Sequence, residues 1–273
     1  SLAWIGLVIL SPVVGSLFYW LFGINRIKRL AQKKHPQIHT HETRPPDTLT
    51  TFHNLPTNWH PAIIAGHAID PLNYITDNKV EPLINGDAAY PEMLQSILNA
   101  KQYIVLSSYI FDYDSLGRQF INALAAAQQR GVVVNVLLDR IGIGFSWLKT
   151  NRALKKSGIQ TARFLPSISF TSIRFINLRN HRKILCVDGD VAYIGGMNIS
   201  QNNMFKSSTK PIADVQFKVT GKVIDQISQV FIDDWFFATG ESIKFPRYAA
   251  NTELLTSKHS VVSRVVKDGP NED

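Results

Sequence analysis

HRKILCVDGDVAYIGGMN, residues 181 to 198, is the stretch on which the reading of this chain turns. It sets His181, Lys183 and Asp188 in the spacing H-x-K-x4-D, and Gly195-Gly196-Met197-Asn198 follows after six further residues. In an extended strand alternate side chains share a face. His181 and Lys183 therefore point one way and Arg182 the other, while Leu185 and Val187 carry the Lys183 face into a core. Asp188-Gly189 is a turn-forming pair, so Val191 to Ile194 reads as a second strand returning beside the first. Gly195-Gly196 permits close backbone approach and brings Asn198 back beside the His/Lys pair.

An imidazole, an ammonium and an amide at one strand edge suit phosphoryl chemistry. Neutral imidazole is a good nucleophile near pH 7. Lys183 supplies positive charge for the non-bridging oxygens of a pentavalent transition state, and Asn198 adds a neutral donor. No Ser or Cys occupies a comparable setting. The plain alternative is two unrelated surface residues on a hairpin. Six positions in register across eighteen residues do not arise readily by chance. Asp188, beside a tight turn, orders the hairpin and organises neighbouring donors rather than carrying a proton.

Outward from the hairpin, short strands and helices alternate. Met93, Leu94, Ile97 and Leu98 make one helical stripe within Pro91 to Ala100, and Tyr103 to Tyr109 reads as a buried strand. Leu116 to Gln129 is an amphipathic helix closed by Gly131. Val132 to Leu138 is an apolar run suited to a strand covered on both faces. A helix over Trp147 to Ser157, a strand over Gln160 to Leu165 and a long helix over Val223 to Phe237 complete the unit. Such alternation predicts one layered α/β domain, over residues 63–260. Asp112 and Asp114 in YIFDYD invite a two-carboxylate reading, but Asp114 or Ser115 is more simply a helix N-cap. The loop Asp139 to Gly144 lacks the spacing of a nucleotide-binding loop and reads as a turn lining the site's rim. Cys186, the single cysteine, excludes an internal disulfide and reads as a small filler within the sheet.

The N-terminal region has a different character. Residues 1–25 hold no charged side chain, and Leu2 to Phe22 is nearly all apolar, enough to cross a hydrocarbon layer of about 30 Å. A signal peptide would carry its positive charges before the apolar run, whereas here they follow it. Pro12 and Gly15 are tolerated in a membrane span, and Trp4, Tyr19 and Trp20 stand where interfacial anchors would. Arg26, Lys28, Arg29, Lys33 and Lys34 place the following flank in the cytoplasm by the positive-inside rule. They also favour anionic headgroups. Residues 26–62 then read as this basic flank and a Pro-rich linker. His35, His39 and His41 fall there without Cys or a tight acidic cluster, so no metal site is expected. The net charge of +8 fits an anionic lipid surface and would also fit nucleic acid.

The 181–198 segment resembles the HKD motif of the phospholipase D superfamily. Residues 82 to 145, PLINGDAAYPEMLQSILNAKQYIVLSSYIFDYDSLGRQFINALAAAQQRGVVVNVLLDRIGIGFS, resemble the first catalytic half of bacterial cardiolipin synthases. The opening AWIGLVILSPVVGSLFYWLFGINRIKR is similar to their membrane segment. The resemblance implies a phospholipase D-like α-β-α domain with a central mixed sheet, preceded by one transmembrane helix. It also implies phosphatidyl transfer between two molecules of phosphatidylglycerol, giving cardiolipin and glycerol through a phosphohistidine, with no metal or other cofactor. The catalytic domain would face the cytoplasm at the bacterial inner membrane. On this likeness Asp214 lies where the family places a carboxylate that hydrogen-bonds the motif histidine, although Pro211-Ile212-Ala213 lack the aromatic residue usual there.

The family carries two such motifs, one per half. Here one is found, and the only other histidine beyond His67 outside it is His259. The closing VVSRVVKDGPNED, within residues 261–273, is similar to the start of the second half. Together with a first residue that is Ser, this leads to the expectation of a fragment clipped at both ends. Its partner would be a second HKD half in cis or a second copy of the chain. Three alternatives remain at this level: another phospholipase D-type headgroup transferase or hydrolase, a homodimeric single-motif nuclease, and a membrane scaffold with an idle motif. The membrane span disfavours nucleic acid as the partner.

Overall fold

The Asp188-Gly189 turn forms as the sequence predicts, and the sheet is built around it. Both residues have positive φ, 55° and 75°, the backbone of a type I′ hairpin turn. The turn joins β5 (Ile184–Val187) to β6 (Val191–Gly195), paired antiparallel from Val187↔Val191 to Ile184↔Ile194. The computed structural model describes residues 74–139, 146–164, 180–245 and 260–267, with 9, 11–18, 61, 65 and 72. The remaining named strands of the described chain are β1 (Ile75–Ile84), β2 (Tyr103–Ser108), β3 (Val133–Leu138), β4 (Gln160–Arg163), β7 (Val215–Thr220) and β8 (Val261–Ser263). They form one mixed sheet in the order β4-β3-β2-β5-β6-β7-β1-β8. The β2/β3 and β3/β4 pairs are parallel and the rest antiparallel. The sheet runs past residue 260, because the short VVS strand pairs with β1 at Asn78↔Val261 and Ile75↔Ser263.

Helices cover both faces. On one face lie α2 (Asn85–Asn99), α3 (Ser115–Gln129) and α4 (Ser146–Lys156), around Tyr90, Ile97, Phe120, Leu124 and Leu154. On the other, α5 (Val223–Thr239) packs Ile224, Ile227, Phe231 and Trp235 against the sheet. The period-2 rule divides β5 between them: Leu185 and Val187 enter the first core, Ile184 and Cys186 the second. Cys186 is fully buried and burial pushes its thiol up to about 12, so it remains a protonated filler.

Helix α2 starts six residues before Pro91, the residue at which the sequence pattern places its beginning. Ala89 and Tyr90 are buried on the same stripe as Met93 and Ile97, and that packing carries the helix through a proline that lacks an N–H. At α3 the cap is Asp114, whose Oδ1 accepts from the Gly117 amide at 2.7 Å. Its Oδ2 accepts from the Gln201 amide at 2.6 Å, which ties the helix start to the segment after β6.

Residues 42–165 and 180–267 make one compact unit, which holds the sheet and α2 to α5. Residues 1–41, 166–179 and 268–273 make the other. Within its described part is a short helix, α1 (Pro12–Phe18). Most of the expected membrane span, the basic flank, the linker with its histidines, and residues 140–144 of the rim loop lie outside the described residues. Among those described, no helix is long and apolar enough to cross a membrane.

Asp188 accepts three backbone N–H groups across the sheet: Lys101 at 2.7 Å, Gln102 at 2.7 Å and Tyr103 at 2.9 Å. These bonds fasten the hairpin to the entry of β2. Asp188→Ala is expected to destabilise the fold by about 2–3 kcal/mol, because charged acceptors are lost by three amides and a non-Gly residue must hold positive φ. Asp188→Asn, which tolerates that backbone, should lose about half as much. Urea unfolding checks both, and equal stability of Asp188→Ala and the parent chain would contradict the assignment.

Candidate active site

The exit of β2, the entry to β5, the exit of β6 and the entry to β7 all meet at one end of the sheet. Register fixes this: Ser107 pairs with Ile184, Ile184 with Ile194, and Gly195 with Gln216. His181, Lys183, Asn198 and Asp214 lie on the segments leaving that end. His181 is exposed. Its ring lies against Tyr109, with centroids 4.2 Å apart and planes 38° apart. Lys183 Nζ sits 5.3 Å above the same Tyr109 ring and donates to the His181 carbonyl at 2.5 Å. Both side chains thus share one face, as the alternation predicts. Arg182, between them, turns the other way to an ion pair with Asp234 of α5.

Partial burial of Lys183 lowers its pKa by desolvation, opposed by the negative charges of Asp214 and then Asp139. The ammonium is therefore held between two opposing influences.

Asn198 is set by backbone. Its Oδ1 accepts from the Ile110 amide at 3.0 Å, which fixes the amide's orientation and leaves Nδ2 as the donor. Its own carbonyl accepts from the Tyr90 hydroxyl at 2.6 Å. Reciprocal bonds between Ile199 N and Ile110 O, and between Asp112 N and Ile199 O, lace this segment to the end of β2. Tyr109 and Asn198 are therefore carried on two strands of backbone fastened together.

Asp214 has contacts other than the expected one. Among the described residues no hydrogen bond joins it to His181. Its Oδ1 accepts from the Val215 amide at 2.7 Å, and its charge acts on Lys183. Gly196 makes room for it, since a Cβ there would run into the Asp214 carboxylate. This close approach is the physical demand for glycine at 196, while a Cβ at Gly195 would meet the Val215 carbonyl and Gln216. Asp188 is at the far end of β5, five residues from Lys183 and about 16 Å along the strand. Its reach to the site is through the hairpin alone.

Sequence reasoning missed Tyr109, which it treated as the last residue of a buried strand. Strand alternation gave no signal for it, because continuing the β2/β5 register sets Tyr109 opposite Arg182, and β2 ends one residue earlier at Ser108. It also missed the polar groups behind the motif, Asn180, Asp139 and Asp234. Asp112 and Asp114 line a separate open cleft with Ser200, Gln201 and Asn202, to which none of the motif residues contributes.

Depression of the Lys183 pKa has a sign that can be checked. Between its lowered folded value and the ordinary lysine range, the folded chain binds fewer protons than the unfolded one. Stability contributed by this group therefore rises as pH climbs through that window. The Lys183 titration midpoint, followed by NMR of labelled lysine, is expected below 10.5 and lower still in Asp214→Asn. A midpoint at or above 10.5, or one raised by Asp214→Asn, would contradict the electrostatics described.

Comparison with known proteins accords with this geometry. The family described as cardiolipin synthase, PLD-like domain, matches residues 93–235, just over half of the 273. Cardiolipin synthase 1 of Bacillus cereus is 28% identical over 293 residues, spanning 100% of this chain and 56% of that protein. Cardiolipin synthase 1 of Staphylococcus epidermidis is 30% identical over 246 residues, spanning 85% of this chain and 49% of that protein. The chain thus spans about half the length of the curated relatives it matches. The solved structure of a phosphatidylserine synthase from Haemophilus influenzae superposes with a TM-score of 0.51 at 16% identity, over 70% of this chain and 45% of that one, a likeness of fold. With its motif, sheet and matched region in agreement, this chain belongs to the cardiolipin synthase, PLD-like domain family.

Proposed function

We propose that this chain supplies the nucleophilic half of a phosphatidyltransferase that makes cardiolipin. The observation that carries the proposal is the exposed His181 ring with the Lys183 ammonium on the same face, both against Tyr109. A nitrogen of His181 attacks the phosphorus of phosphatidylglycerol. The P–N bond forms, the bond from phosphorus to the glycerol oxygen breaks, and the leaving alkoxide takes a proton from an acid to become glycerol. In the second step the primary hydroxyl of another phosphatidylglycerol gives its proton to the conjugate base of that acid and attacks the same phosphorus. Cardiolipin forms, and the P–N bond returns its electrons to His181.

Lys183 neutralises the non-bridging oxygens as charge builds on them, with the Asn198 amide as a second donor. Asp214 acts through Lys183, holding its charge in place against desolvation. Asp188 serves by keeping the hairpin that bears the motif. The proton donor is the histidine of a second H-x-K-x4-D half, reached in cis or through a second copy. The family likeness assigns the nucleophile to this motif and implies no metal.

The lipid substrate brings the reading of residues 1–25 into the same account. An apolar span with a basic C-terminal flank would hold the domain on the cytoplasmic side of a bacterial inner membrane, among anionic headgroups. Transfer to another alcohol, or to water, would use the same steps, and lipid product analysis separates these outcomes.

Two outcomes follow. With phosphorus-labelled phosphatidylglycerol, an alkali quench should reveal acid-labile label on His181, absent in His181→Ala. Label on another residue, or label that survives the substitution, would overturn the assignment. The purified 273-residue chain by itself should release glycerol about 1,000-fold or more slowly than an enzyme holding both motifs, since acid and half the cationic grip are missing. A comparable rate would refute the composite site.

A further inference from the structure

We propose that Asn180, Asp139 and Asp234 form a buried positioning set that aims His181 and Lys183 from behind, with Asn180 at its centre. Three hydrogen bonds converge on Asn180. Its backbone N–H donates to Asp139 Oδ2 at 2.9 Å, its Nδ2 donates to Asp234 Oδ2 at 2.8 Å, and its Oδ1 accepts from the Arg182 amide at 2.9 Å. The last of these closes an Asx-type ring around His181, the residue between donor and acceptor. The direction in which His181 leaves the backbone is therefore set by the side chain of its neighbour.

The anchors of this set are deep in the fold. Asn180, Asp139 and Asp234 are 4%, 2% and 1% exposed, so each polar group needs its partners. Asp234 comes from α5 and also receives Arg182 Nη1 at 2.5 Å. Burial drives its carboxyl pKa up, and the Arg182 charge opposes that. Asp139 follows directly on β3, and Ser107 of β2 donates to the Arg182 carbonyl at 3.2 Å. Residues 180 to 182 are thus gripped from α5, β3 and β2 together. His181, alone among the three, has its side chain free of this grip and turned to the Tyr109 side.

None of these three polar groups touches the reacting atoms, so they are positioning residues. The inference rests on the reading of His181 as the group that accepts phosphorus, but the placement it describes can be measured without turnover. The Tyr109 ring gives the readout, because its ring current shifts the proton signals of a histidine whose ring centroid lies 4.2 Å away.

The test uses the 273-residue chain labelled in histidine, as Asn180→Ala and Asp234→Asn, with wild-type amide signals from β2, β3 and β6 as the check that the fold persists. Asn180→Ala is expected to move the His181 ring signals toward those of free histidine and, in an enzyme holding both motifs, to lower phosphohistidine yield about 100-fold, the scale of a misplacement of about 1 Å. Asp234→Asn keeps the shape and should move the signals less. Unmoved His181 signals in both variants would overturn the inference whatever the activity. Moved signals, with no phosphoryl group taken up at His181 even in an enzyme holding both motifs, would support positioning while refuting the proposed chemistry.

Discussion

The ion pair between Arg182 and Asp234 is the constraint on which the rest of this site depends. A guanidinium placed between the two motif side chains has to go somewhere. Once it is committed to a buried carboxylate on α5, strand alternation leaves His181 and Lys183 only the opposite face. Tyr109, just past the end of β2 at Ser108, turns its ring to that face, so ring, imidazole and ammonium meet at one end of the sheet. A buried ion pair is not by itself a reliable source of stability. Its value here is directional.

The second structural device acts at the other end of the same strand. Asp188 gathers three amides from the entry of β2 and holds a turn with positive φ, so the register of β5 against β2 is fixed at the end remote from the chemistry. A slip of one residue would exchange Arg182 for its neighbours and turn the motif inside out. The motif aspartate and the motif histidine are therefore linked by register over about 16 Å of strand and not by contact. Gly196 completes the frame by letting the Asp214 carboxylate approach the backbone.

Much of this was legible in the sequence because it follows from period and turn chemistry. The alternation of His181, Arg182 and Lys183, the Asp-Gly hairpin, the split of Leu185 and Val187 from Ile184 and Cys186, and the cap at Asp114 are all local consequences of residue order. Contacts between distant segments were not legible. Nothing in the local pattern says that Tyr109 lies against a residue seventy-two positions later, or that Asp139 and Asp234 converge on Asn180. The start of α2 was misplaced for a related reason, since burial of Ala89 and Tyr90 outweighs the local signal of Pro91. Asp214 was expected on His181 by likeness, and the backbone instead gives it the Val215 amide and the field of Lys183.

A crystal structure of the chain with vanadate, which takes up five-coordinate geometry, tests the central claim most directly. The account predicts vanadium bonded to an imidazole nitrogen of His181, with an equatorial oxygen facing Lys183 Nζ and Tyr109 still beside the ring. Vanadate bound elsewhere, with His181 unengaged or Lys183 turned from the anion, would contradict it.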